Sequence, residues 1–325
     1  MPLPRRQFLL LAASAAVFST VSMNASAQSY PTRPVRIVVG FAPGGGADLA
    51  GRLMAQWLSE RLSEQFVIEN RPGAGANIAM DSVAKAAPDG YTLLLVSPGA
   101  AINATLYEKL TYNFVRDFAP ISGFLRVPNV MVLNPSVPVK TVPDFVAYAK
   151  ANPGKLNMAS AGSGSSVHVS GELFKMMTGV DLTHVPYRGA GPMLSDLLGG
   201  QVQVAFPDIG SSIEHVRSSK LRAIAVTTAN RSEALPAVPT VSEFVPGYEA
   251  SNWWGIAAPK GTPTEIVAKL NRELNSAVAD PKIKARFADL GGTSLAASPA
   301  EFTKLIADET DKWGKVIRAA KIKPE

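Results

Sequence analysis

A glycine-rich turn that runs into a helix exposes backbone N–H groups, and such groups can hold an anion. The stretch FAPGGGADLAGRL (41–53) has this form: it follows the apolar run VRIVVG and leads into LMAQWLSERL. Two phosphate-binding patterns can be tested on it. A dinucleotide fingerprint starting at Gly44 and Gly46 needs a third glycine where Leu49 stands, so it fails. A P-loop fits the spacing from Gly46 to Gly51, but Arg52 and Leu53 occupy the lysine and hydroxyl positions that phosphate and Mg²⁺ require. What remains is an amide-lined turn suited to a carboxylate. Asp48 reads first as a cap of the following helix and second as a ligand contact.

A second loop, AGSGSS (161–166), repeats the device more than a hundred residues later, again after a strand-like run and before a helix-like one. Its serines add hydroxyl groups. Together the two loops can clamp the ends of an anion.

Other chemistry finds little support. The three histidines, His168, His184 and His215, do not fall at i,i+4, and none has a carboxylate at metal-ligand spacing, so no metal is expected. His168 reads first as a helix-surface or core histidine and second as a residue facing a cleft. The serine-hydrolase elbow G-x-S-x-G is not met, because Gly162-x-Gly164 puts glycine where serine belongs. There is no cysteine, hence no disulfide, thiol nucleophile or sulfur-based zinc site. Trp253-Trp254 reads as core packing at a crossing strand, with a ligand wall as the alternative.

The elements that position these loops follow from periodicity. VRIVVG, FVIEN (66–70) and YTLLLV (91–96) are strand-like and alternate with helical spacing over 49–62 and 78–87. This is the βαβ grammar of a parallel sheet with helices on its faces. The grammar restarts after Val127, with strands in NVMVLNP, LNMAS, LTHVPY, VQVAF and LRAIAV and helices at 144–151, through Thr178, and at 191–198. Three proline-initiated helices follow, at 263–279, 281–290 and 299–320. At 325 residues the chain is long for one domain, and the pattern implies two α/β lobes, each with a mostly parallel sheet flanked by helices and a cleft between them. Lobe one takes 28–127 and 249–325, lobe two takes 128–248, and hinge crossings fall near 125–134 and 248–257.

Residues 1–27 read as a cleaved signal peptide: Arg5-Arg6, an apolar run from Phe8 to Val21, then Ala25-Ser26-Ala27. Arg5-Arg6-Gln7-Phe8-Leu9 also loosely matches a twin-arginine signal, and both export routes stay open. The formal charge is +6; removing Arg5 and Arg6 with that acid-free segment leaves +4. A mild basic excess suits a small anion, and without a Lys/Arg run nucleic acid is not an expected partner.

The chain also resembles a known family. YPTRPVRIVVGFAPGGGADLAGR, VIENRPGAGANIA, AAPDGYTLLL, NPSVPVKTVPDFVAYAKANPGKLNMASAGSGS, GELFKMMTGVDLTHVPYRGAGPMLSDLLGGQVQVAF and PGYEASNWWGIAAPKGTP are similar, in this order, to the Bug family. These are the extracytoplasmic receptors of tripartite tricarboxylate transporters. The resemblance implies a type II-like periplasmic binding protein that is not an enzyme, needs no cofactor, acts as a monomer and passes a small organic acid to membrane permease subunits. Carried over by position, it puts Phe41, Pro43, Gly44, Gly45, Gly46 and Asp48 at the ligand, with Ser97, Gly99 and Ala100 after the third strand. Across the cleft it puts Ala161, Gly162, Ser163, Ser165 and Ser166, then Arg188 and Gly189, and Asp208; His168 joins this set by its place just after the second loop. Gly46 stands where relatives often carry Ser or Thr, which removes a possible hydroxyl contact. Arg188 is the implied cation for a second carboxylate, with a surface salt bridge as an equal reading. Asp208 follows Phe206-Pro207, a departure from the Phe-Asp pair of many relatives that loosens its register. Two rival functions remain: an exported hydrolase or esterase of organic acids, and a module that signals to a membrane sensor.

Overall fold

The computed structural model describes residues 30–324; the signal-peptide reading of 1–27 lies outside them. The chain runs β1 (Val35–Val39), α1 (Gly46–Leu62), β2 (Phe66–Asn70), α2 (Asn77–Ala84), β3 (Thr92–Val96), α3 (Gly99–Leu106), α4 (Phe114–Asp117) and β4 (Phe118–Pro128). Next come β5 (Val130–Leu133), α5 (Val142–Ala151), β6 (Asn157–Ser160), α6 (Ser166–Thr178), β7 (Thr183–Pro186), α7 (Ala190–Leu198), β8 (Val204–Ala205), α8 (Ile209–Arg217) and β9 (Arg222–Val226). The last part holds β10 (Ser251–Pro259), α9 (Thr264–Ala279), α10 (Pro281–Asp289), β11 (Thr293–Ser294) and α11 (Pro299–Ala320).

These strands form two sheets flanked by helices, a two-lobed α/β fold. The first has the order β11-β4-β10-β3-β1-β2 and the second β7-β6-β8-β5-β9. Apolar runs sit where both faces are covered. All five residues of β3 and four of five in β1 are buried, as parallel strands under helices require. Both sheets are mixed rather than mostly parallel. The βα repeats give parallel pairs β1–β2, β1–β3, β6–β7 and β6–β8, whereas β10 and β11 in the first sheet and β5 in the second run the other way and add antiparallel pairs.

The chain changes sheets within one residue. β4 ends at Pro128 in the first sheet, β5 begins at Val130 in the second, and Asn129 lies between them. It is tied to the returning chain: Asn129 N–H donates to Thr227 Oγ1 (2.9 Å), Thr227 N–H to Asn129 O (2.9 Å), and Ala250 N–H to Thr227 O (2.9 Å). β10 then pairs along β4 from Ser251↔Pro128 to Pro259↔Phe118.

The core of the first sheet gathers Val38, Leu94, Phe118, Trp253, Phe302 and Ile306. Trp253 and Phe302 meet edge-to-face at 5.7 Å, a favourable aromatic geometry. Helix α11 carries Phe302 and opens with a Ser298–Glu301 capping box. It lies along α3 and reaches α6.

Candidate functional site

A cavity of about 600 Å³ opens between the two sheets, within the range of small-ligand sites. Its walls are the loops that leave the C-terminal ends of strands and enter helices: after β1, β3, β6, β7 and β8. Strands of α/β sheets point their C-terminal ends at such crevices, so helix N-termini converge there.

On the first wall, Phe41, Gly45, Gly46 and Ala47 face the cavity. Gly45 is the N-cap of α1, in an extended conformation with no side-chain cap, so the first amides of that helix stay open. The loop is held from behind by Asp48, which is buried. Its Oδ2 accepts from Gly44 N–H (2.9 Å) and Arg52 Nε (2.9 Å), and its Oδ1 from Asn70 Nδ2 (2.9 Å). Asn70 also donates to Phe41 O at 3.0 Å. Burial pushes the Asp48 carboxyl up, but the bonds from Arg52, Gly44 and Asn70 outweigh it and hold it below the usual carboxylate range. Asp48 therefore shapes the loop and does not reach the cavity. Gly44, at φ +83°, makes the turn, and with Pro43 it lies on the exposed side.

The β3–α3 corner adds Ser97, Pro98 and Gly99. Here the helix start is satisfied within the chain: Gly99 N–H donates to Ser97 Oγ (3.3 Å) and Ala100 N–H to Ser97 O (2.9 Å). Ala100 points into the core, not the cavity. Asn103 lines the cavity and braces the 74–76 turn, donating to Gly75 O (2.7 Å) and Asn77 Oδ1 (2.8 Å). Ala74, Gly75 and Ala76 are all left-handed there (φ 47°, 61° and 74°), a strained arrangement of the kind kept at ligand walls.

On the second wall, Ala161 to Ser166 all line the cavity. Ser165 caps α6 by accepting from His168 N–H at 3.2 Å. His168 lies behind this loop, buried: its Nδ1 accepts from Gly164 N–H at 3.0 Å, and its ring stacks on His184 with 3.6 Å between centroids. With Nδ1 accepting, the proton sits on Nε2, which faces Glu172 Oε1 at 3.7 Å. Burial pushes the Glu172 carboxyl up, but His168 and Lys175 beside it outweigh burial and hold it below its ordinary range. Gly189 and Ala190 begin α7, whose N-terminus has no side-chain cap. Arg188 is exposed and stays outside the cavity lining. Asp208 does line it, as the N-cap of α8, accepting from Ser211 N–H at 2.9 Å.

The floor comes from β10. Alternation sends Trp253 into the core and Trp254, with Asn252, to the cavity. Gly46 makes room for that ring, since a Cβ there would lie 3.0 Å from Trp254 Cη2. Thus two open helix N-termini, α1 and α7, face one cavity from opposite walls, and no Lys, Arg or His is among its described lining residues. Each end carries roughly half a positive charge, so the site offers an anion amides and dipoles in place of cations.

Residues 50–322 match the family model described as "Tripartite tricarboxylate transporter family receptor". The chain belongs to that family. Protein BugT of Bordetella pertussis (strain Tohama I) is 39% identical over 308 residues, which cover 93% of this chain and 94% of that protein. The structure of R. palustris Rpa4515 with adipate superposes with a TM-score of 0.82 at 39% identity, covering 91% of this chain and all of the other. MatC from Rhodopseudomonas palustris, solved with bound malate, gives 0.77 at 34% identity over 89% of this chain and all of that one.

In this family receptor the cavity gathers Phe41, Gly45, Gly46, Ser97, Gly99, Ala161, Gly162, Ser163, Ser165, Ser166, Gly189 and Asp208 from the sequence-level set. It does not gather Pro43, Gly44, Asp48, Ala100, His168 or Arg188: Asp48 and His168 support loops from behind, Ala100 is core, and the rest face outward. Sequence reasoning missed Ile102, Asn103, Leu106 and Tyr107, because α3 shows no amphipathic period. Trp254 was legible only as one of two alternatives. Among the described residues no cluster of His, Cys, Asp and Glu could hold a metal, and no helix is long and apolar enough to cross a membrane.

Proposed function

We propose that this chain is an extracytoplasmic solute receptor that captures a small organic carboxylate and delivers it to a tripartite tricarboxylate-type transporter. The observation that carries this reading is the uncapped start of α1, whose Gly45, Gly46 and Ala47 line a cavity walled by both sheets. A carboxylate there would cap the helix as a side-chain acceptor normally does, with the dipole adding to the attraction. Adipate in the Rpa4515 structure and malate in the MatC structure support acids of this size as ligands.

The remaining parts of the proposal follow from the family and the topology. The protein acts in the periplasm as a monomer after cleavage near Gln28, and membrane permease subunits receive its cargo. Lobe one is 28–127 with 249–325, lobe two is 128–248, and the crossings near 125–134 and 248–257 act as the hinge. Support for that hinge comes from the connection itself: Asn129 alone separates β4 from β5, and it is tied to the returning chain at Thr227. Closure is then driven by ligand contacts that exist on both walls only in the closed form.

The hydrolase alternative needs a serine and histidine pair in the cavity. Ser160 Oγ and His184 Nε2 do lie 2.7 Å apart, but Ser160 is fully buried and neither residue is in the lining. That pair fixes the β6 end of the loop.

Calorimetry on Gly45→Val tests the assignment with adipate and malate as probes. Gly45 has φ −79° and ψ 168°, which valine adopts readily, and a Cβ there meets only Ala42 O at 3.8 Å. The fold should therefore persist by circular dichroism while affinity falls about a hundredfold or more, as expected when amide contacts to a charged group are blocked. Unchanged affinity for a ligand that the wild type binds would refute the loop assignment.

A further inference from the structure

Among the described lining residues the cavity has a single charged side chain, and it is an anion. Asp208 Oδ1 accepts from Ser211 N–H at 2.9 Å, and its Oδ2 lies 3.0 Å from Ser211 Oγ. Its backbone is fixed by an antiparallel bridge to Asn129. None of the ion pairs among the described residues involves it. An ionised carboxylate can accept about four hydrogen bonds, so Asp208 has capacity left for a donor in the cavity.

Capping alone does not call for this charge. Ser, Thr and Asn cap helices as well as Asp does, and Ser165 performs that task on the neighbouring α6. The cost of a half-buried carboxylate facing an acid-binding cavity is repulsion of any ligand that brings a second bare carboxylate to the same wall. The second wall thus presents two kinds of group: the uncapped start of α7 at Ala190, since Gly189 N–H donates to Ala161 O at 3.2 Å, and an acceptor at Asp208. A plain dicarboxylate answers only the first. An acid that also carries an ammonium group answers both.

We infer that Asp208 makes this cavity selective for amino dicarboxylates. One carboxylate rests on the amides of Gly45 to Ala47, the other at the uncapped start of α7 on the Ala190 amide, and the ammonium group donates to Asp208. This inference rests on the carboxylate-receptor reading above and narrows its ligand class.

Matched pairs that differ only by the ammonium group test it: succinate and aspartate, glutarate and glutamate, adipate and 2-aminoadipate. Each is titrated calorimetrically into the wild type and Asp208→Asn at one pH and ionic strength. Asparagine keeps the N-cap, so folding is preserved, and an unchanged thermal midpoint without ligand confirms it. In the pair that binds best, the wild type should favour the amino acid by about tenfold or more, and Asp208→Asn should erase or invert that ratio. Equal or tighter wild-type binding of the unsubstituted acid overturns the inference and leaves the receptor reading standing. A ratio that survives in Asp208→Asn also overturns it, by moving selectivity elsewhere. Failure of every acid, malate included, would sink the receptor reading and this inference together.

Discussion

At the residue scale, the side chains that matter most to the first wall never touch the cavity. Asp48 gathers Gly44, Arg52 and Asn70 and so sets where the open amides of α1 point. Asp48→Asn should cost about 1–3 kcal/mol, the range for losing a buried hydrogen-bonded charge partner, and should weaken ligand binding through loop disorder. The pH dependence has a definite sign. The folded carboxyl sits below its usual range, so its contribution is present above about pH 4 and is lost as pH falls through the lowered folded value. Denaturant titrations should show the gap between wild type and Asp48→Asn shrinking below about pH 4. A gap that stays constant to pH 2 would contradict this role. His168 is the counterpart on the second wall, where its Nδ1 holds Gly164. Sequence could mark Asp48 and His168 as near a site, since both sit one turn into a helix after a glycine loop. It could not tell a residue that faces the ligand from one that grips the loop, because a few degrees of helix rotation decide that.

At the element scale, the glycine loops were legible because each is flanked by a buried strand and a periodic helix. Helices α3 and α8 were not. The sequence of α3, GAAINATL, is small and apolar on all sides because the helix is largely enclosed, and Ser-Pro-Gly before it reads as a turn. The sequence of α8 opens with Ile209 followed by Gly and two Ser, weak helix formers, and depends on the Asp208 cap. Helix α3 supplies Ile102, Asn103 and Leu106, so an unread element carried much of the unread site, whereas Asp208, the cap of α8, was named from the sequence without its helix. Helix α3 also brings the walls into contact: a Cβ on Gly164, which has φ +74°, would lie 2.2 Å from Leu106 Cδ2. Gly164→Ala should therefore lose about 1–2 kcal/mol from the left-handed backbone alone. Adding Leu106→Ala should relieve the clash but not that strain. Thermal melts of the single and double variants check this, and a Gly164→Ala midpoint equal to wild type would contradict it.

At the scale of the whole molecule, the repeat of βαβ grammar after Val127 anticipated two sheets, and the strands of the first do come from both ends of the chain. The mixed strand directions were less visible. A strand's direction depends on its partners, and the reversed strands β5 and β10 read locally like any other buried strand. The antiparallel pairing of β4 with β10 follows from one chain leaving the first sheet where another segment returns. The family match explains why motif tests for phosphate and hydrolase chemistry failed while the loops remained glycine-rich. Backbone amides, not side chains, form the common feature of the site, and they leave only small residues as a trace in sequence. The most direct test is a co-crystal structure with adipate or malate at saturating concentration. Ligand carboxylate oxygens should lie about 2.7–3.2 Å from the backbone nitrogens of Gly45 to Ala47, with the second end against the loops of the other sheet. A ligand bound away from that helix terminus, or one held by Lys or Arg side chains instead, would contradict the assignment.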